Sequence, residues 1–274
     1  MKKFIVQALL IVGALAATSA AQAAASSNVT YGGITIKLID LAPNDGIAPS
    51  FYFQPVTGSS SFPSIYGDVS TVTPNGQTFS EYSHYSTTTT QLISGSTSAQ
   101  WASSGGSVQG ALGGGTAYGQ AGSDQNSTGV YYTKIEFLPM TFVLSANTAV
   151  SFTMNVSAHS EATLPYDPQA DNHEAAFAFA TMMIGQTLDG VQHRIGSATG
   201  EAMSNVGNGP VADWNGPLSL SFENAANSSV EANFSMRAIA AGNSISAVPE
   251  PGSYAMMLAG LALIAGLRAR RRHC

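Results

Sequence analysis

Cysteine is missing from the body of this 274-residue chain; its single thiol is Cys274, the last residue. No intrachain disulfide can form. Burial and hydrogen bonding must therefore hold the fold, with bound metal as a further option. Charge is scarce as well, at 9% of residues, and its basic part is badly distributed. Of ten bases, six lie at the ends: Lys2, Lys3, Arg268, Arg270, Arg271 and Arg272. Between residues 26 and 247 only Lys37, Lys134, Arg194 and Arg237 face fifteen acids, a net charge of −11. Such a surface repels phosphate backbones, which excludes nucleic acid as a partner, and it repels anionic headgroups equally. Sustained helical stripes are absent outside the two ends, and so is any fixed-period repeat, which excludes solenoids and propellers.

Catalytic signatures are missing too. No G-x-S-x-G surrounds a serine. The histidines His84, His159, His173, His193 and His273 follow no H-E-x-x-H pattern. Gly113-Gly114-Gly115 precedes neither Lys-Ser/Thr nor a helix, so it reads as a turn rather than a phosphate loop. The expectation is a protein that is not an enzyme. Paired carboxylates for glycoside hydrolysis stay open, because their spacing is three-dimensional.

What is present is concentrated at the termini. Lys2 and Lys3 precede an apolar stretch, Phe4 to Ala17, and then the A-x-A box Ala21-Gln22-Ala23. Residues 1–25 thus read as a secretory signal helix cut after Ala23, with a cut after Ala25 as the alternative. At the other end, Val248-Pro249-Glu250-Pro251-Gly252-Ser253 leads into the apolar Tyr254–Leu267 and then the arginines Arg268, Arg270, Arg271 and Arg272. Prolines around Glu250 favour an extended, protease-accessible segment. Fourteen apolar residues make about 21 Å of helix, short for a ~30 Å hydrocarbon core. Snorkelling arginines would make up the difference and hold the basic end on the cytoplasmic side.

Motif, short helix and basic end, in that order over residues 248–274, resemble the PEP-CTERM sorting domain of Gram-negative bacteria that make exopolysaccharide. The resemblance implies exosortase as a partner and Pro249, Glu250 and Pro251 as the sorting motif. It also implies transient anchoring in the inner membrane, followed by a cell-surface or extracellular destination.

Between the ends, apolar residues alternate with polar ones in 34–39, 130–138, 140–145, 150–158, 218–222 and 230–238. Period two is the mark of strands with one face on a core. Residues 175–184 (AAFAFATMMI) fit a buried strand, and Asn75-Gly76, Asp45-Gly46 and Asp189-Gly190 mark turns. The expected fold is all-β over 26–247: an antiparallel β-sandwich of jelly-roll type. Pro139 should head a strand, and Asn147-Thr148 should turn. Residues 94–129, rich in Gly, Ser and Thr, read either as a disordered loop or as weak strands joined by glycine turns.

One segment gathers metal-type ligands: His159 and Glu161, then Asp167, Asp171, His173 and Glu174. Oxygen donors in a loop suit Ca²⁺, and two histidines with a carboxylate suit Zn²⁺. A solvated acidic loop is the plainer reading, so no cofactor is expected, with calcium as the alternative. Trp101, Trp214, Tyr82 and Tyr85 are candidates for stacking on sugar rings, Trp214 because Asp213–Pro217 looks like a turn. The expected function is a non-enzymatic surface component associated with exopolysaccharide or biofilm. A carbohydrate-binding module is the first alternative and an extracellular glycoside hydrolase the second.

Overall fold

The alternating pattern becomes strand almost throughout the computed structural model, which describes residues 24–54, 63–85, 91–110, 112–122, 128–163, 174–188, 191–204, 209–244 and Gly260. Its elements, in chain order, begin with β1 (Ala24–Tyr31), β2 (Thr35–Asp40), β3 (Phe51–Phe53), β4 (Ser64–Thr73), β5 (Gly76–Tyr85), β6 (Leu92–Ala99) and β7 (Ala102–Gln109). They continue with β8 (Gly115–Gly122), β9 (Thr128–Leu144), β10 (Thr148–Ala162), β11 (Ala175–Leu188), β12 (Val191–Ser204), β13 (Val211–Asn224) and β14 (Val230–Asn243). The signal helix, the sorting motif Pro249-Glu250-Pro251, the apolar tail and its arginines lie outside the described residues. Among the described residues no helix is long and apolar enough to cross a membrane.

The strands form two antiparallel sheets of seven strands each. One runs β13-β10-β1-β8-β7-β6, and β2 continues the line of β1 along β10. The other runs β12-β11-β14-β9-β4-β5, with β3 continuing the line of β4 along β9. Inward residues follow the alternation: Phe152, Met154 and Val156 of β10 are buried, while Asn155 and Ser157 face outward. This is the all-β, sandwich-like arrangement that the pattern implies.

The space between the sheets is filled in two ways. Around β3, β9, β10 and β14 it is aromatic: Phe152 stacks on Phe234 at 4.5 Å, and Phe142 contacts Phe51, Phe152 and Phe222. Around β6, β7 and β8 it is tyrosine against almost nothing. The Tyr82 ring occupies the space that β-carbons of Gly67 and Gly95 would need, and the Tyr131 ring does the same at Gly119. Residues 94–129, for which a loop was one expectation, are therefore largely strand, with hairpin turns after Ala99 and Gln109. Tyr131 Oη donates to Ser27 Oγ at 2.8 Å. Burial pushes the Tyr82 phenol up to about 12 and drives those of Tyr31 and Tyr131 higher still.

Two expectations change in detail. Pro139 does not head a strand: it sits inside β9, where the register slips so that Met236 pairs with Phe137 and Phe234 with Met140. Proline has no N–H to give the ladder, so it is accommodated at an irregularity. Residues 175–184 form β11, but the alanines Ala176, Ala178 and Ala180 face the core. Phe177 and Phe179 stack on each other on the outer face, with the Arg237 guanidinium 5.6 Å from the Phe179 ring centre. The Asn147 turn is present, with φ of 48°, and its Nδ2 donates to Asp45 Oδ2 at 2.7 Å.

Candidate functional site

Several chain segments meet at one pole of the sandwich. The turn between β6 and β7 carries Gln100 and Trp101, and the Trp101 carbonyl accepts from Gly122 N at 2.7 Å. Gly122, at the end of β8, pairs in register with Ala24 at the start of β1. Ser244, just past β14, donates its hydroxyl to the Gly122 carbonyl and its N–H to Gly129 O at 2.9 Å. The start of the sandwich, its exit toward the sorting motif and the Trp101 turn thus converge within a few residues.

Between them lies an open cleft of about 630 Å³. Its wall includes Trp101, Gln100, Ser98, Gln120, Glu161 and Thr163. This mixture offers an aromatic ring, two amides, hydroxyls and one carboxylate. The Trp101 Nε1 donor is shielded from solvent and bonds to no described residue. Such a surface suits a neutral, hydroxyl-rich ligand better than an anion.

The other stacking candidates are placed differently. Trp214 is not in a turn: it belongs to β13, and its ring lies across Gly200 of β12, closing the side of the sandwich where the two sheets meet. The absent β-carbon at Gly200 makes that closure possible, and it leaves the indole half-buried. Tyr82 is packed between glycines as described, at 9% exposure. The Tyr85 side chain lies outside the described residues. Of the three candidates whose side chains are described, Trp101 is the one that lines the cleft.

The metal-type residues also separate. Asp167, Asp171 and His173 lie outside the described residues. Glu174 is fully buried at the entrance to β11 and accepts from Thr163 Oγ1 at 3.1 Å, so the two described ends of the acidic segment are tied together. Among the described residues no group of three metal-type ligands comes together. His159 faces across the ladder to Asp213, with Nδ1 2.7 Å from Oδ1, while its Nε2 is 4.0 Å from Glu161 Oε2. Both ring nitrogens point at carboxylates, an ion-pair arrangement on an open face rather than a base aimed at a serine.

The polar wall of the cleft was not visible in the sequence. Gln100, Gln120 and Thr163 are ordinary residues in a chain rich in small polar side chains, and only the register of β1, β8 and β10 brings them together.

No curated protein matches the chain. Among solved structures, one similar chain comes from work on the promiscuous specificity of carbohydrate-binding modules of the β-sandwich superfamily. It has 8% identity and a TM-score of 0.10, covering 72% of this chain and 97% of its own. Another is a β-porphyranase of glycoside hydrolase family 86 from the human gut bacterium Bacteroides plebeius. It has 10% identity and a TM-score of 0.10, over 78% of this chain and 36% of that one. Likeness at this level supports no argument about fold or function. The terminal segment is different: residues 247–272 match the family model of the PEP-CTERM protein-sorting motif, so the chain carries that motif there.

Proposed function

We propose that the protein is exported across the inner membrane, held there by its tail, processed by exosortase near Pro249-Glu250-Pro251, and deposited as a non-enzymatic component of an extracellular polysaccharide or biofilm matrix. The observation that carries this reading is the sorting motif at residues 247–272, which begins three residues after Ser244, where the described sandwich ends. The signal-like segment before Ala24 and the acidic, cysteine-free body agree with life outside the cytoplasm. Intact mass of the protein from the native host's surface and medium tests it. Loss of the first 23 residues and of everything beyond the motif is expected. A mass that keeps the arginines at 268–272 rules the processing out.

A second reading, carbohydrate binding, is favoured by the Trp101 cleft. Rings stack on the apolar face of sugars while amides and hydroxyls bond to their rims. Among the described residues the lining offers a ring, amides, hydroxyls and the single carboxylate of Glu161, and it is the ring with the amides that supports binding. Retention on the host's own polysaccharide should fall at least tenfold in Trp101→Ala and persist in a folded Trp214 variant such as Trp214→Phe. Equal retention by Trp101→Ala removes this reading and leaves the first untouched.

A further inference from the structure

The first strand begins in an unusual way. Ala24 N donates to Thr163 Oγ1 at 2.8 Å, and Thr163 N returns a bond to the Ala24 carbonyl at 3.0 Å. The same hydroxyl donates onward to Glu174 Oε2 at 3.1 Å, and Glu174 is fully buried. A single hydroxyl therefore links the backbone nitrogen of Ala24 to a carboxylate in the interior. The next residue, Ala25, is 1% exposed and sits in register between Ala162 and Ala121. Within the described residues the ladder of β1 opens at Ala24, and its first buried side chain is Ala25.

We propose that the amino terminus made by cutting the Ala23–Ala24 bond is itself an anchoring site: the α-ammonium of Ala24 docks on Thr163 and, through it, on the carboxylate of Glu174. The proposal rests on the export reading above, because a signal peptidase makes the cut. One water adds across the amide, leaving a carboxylate on the departing Ala23 and an amine on Ala24 that is protonated near neutral pH. A neutral N–H donor becomes a cation at the same place, and its bond to the hydroxyl becomes charge-assisted. A cut after Ala25 would instead delete two ladder residues and a buried side chain. The geometry therefore separates the two cleavage sites that the alanine-rich sequence leaves open, and selects the first.

The test uses the chain from Ala24 to its C-terminus, in detergent, released from a fusion so that Ala24 carries a free amine. Beside it stand the Nα-acetylated chain, a chain starting at Gln22 and a chain starting at Ser26. Acetylation or extension should lower the melting temperature by about 2–4 °C for a chain of this size, and the Ser26 start should lower it further. Thr163→Val should erase the difference between free and acetylated forms; if that variant does not fold, Glu174→Gln gives the same readout. Free and acetylated chains that melt together overturn the proposal, as does a difference that survives both substitutions. The termini are set in vitro, so failure here leaves export standing, whereas a native mass beginning at Met1 removes export without touching the docking.

Discussion

The half of the sandwich around β9, β10 and β14 and the half around β6, β7 and β8 span the same gap between sheets with opposite materials. In the first, phenylalanines arrive from both sheets and meet ring to ring. In the second, tyrosines such as Tyr82 and Tyr131 cross the gap alone and rest against glycine backbone, with small residues such as Ala102 and Ala121 beside them. Both solutions reach close packing, but they store their vulnerability differently. The phenylalanine half is sensitive to what is taken away, because deleted volume leaves a cavity. The tyrosine half is sensitive to what is added, and to proton loss from its buried phenols.

Alkali should produce the largest separation between the halves. A buried phenol with a raised pKa is protonated in the folded chain where the unfolded one is already ionised. The stability it contributes is complete below about pH 10 and is lost as pH climbs through the folded value, about 12 for Tyr82. Melting followed by near-ultraviolet tyrosinate absorbance should therefore show a steep loss above about pH 10, with Tyr131 and Tyr31 ionising only as the chain unfolds. Ionisation of Tyr31 or Tyr131 in a chain that keeps its fold would contradict the tyrosine packing.

Next in size is Phe152→Ala, expected to cost about 3–5 kcal/mol through the cavity left beside Phe234 and Phe142. Chemical denaturation reads it. Gly119→Ala should cost about 1–3 kcal/mol, because its methyl collides with the Tyr131 ring. An alanine tolerated there would mean that the tyrosine half is loosely packed. Tyr31→Phe should stabilise by about 1 kcal/mol, since its buried hydroxyl has no partner among the described residues. Smallest is Asp213→Ala, expected to cost less than about 1 kcal/mol, because its pair with His159 lies on an open face.

The contrast also explains how much could be read from residues alone. Strands such as β10 were legible because large apolar side chains alternate with polar ones, and alternation is a local property. Strands β6 and β7 were hard to read because, beside Ile93 and Val108, many of their buried positions are small, such as Ala102, Ser104 and Gly106. The rings that fill such space, Tyr82 over Gly95 and Tyr131 over Gly119, come from the facing sheet. In β11 the alternation did not say which set faces inward: Ala176, Ala178 and Ala180 do, and Ala176 packs in the cluster that holds Tyr131. Of the site, the sorting motif was legible because it is carried by consecutive residues and needs no fold to bring them together. The Trp101 cleft was not, because it exists only where three strand ends meet.

The position of β14 sets how the protein bears load. Between β11 and β9, it is bonded along its length on both sides, and the chain leaves its far end toward the sorting motif. If the tail is anchored and the sandwich deposited as proposed, a pull on the tail acts first on β14. The two ladders then resist in shear, with their hydrogen bonds strained together, instead of peeling open one at a time from an edge. A tail leaving from β12 or β5 would have pulled on a strand bonded on one side only.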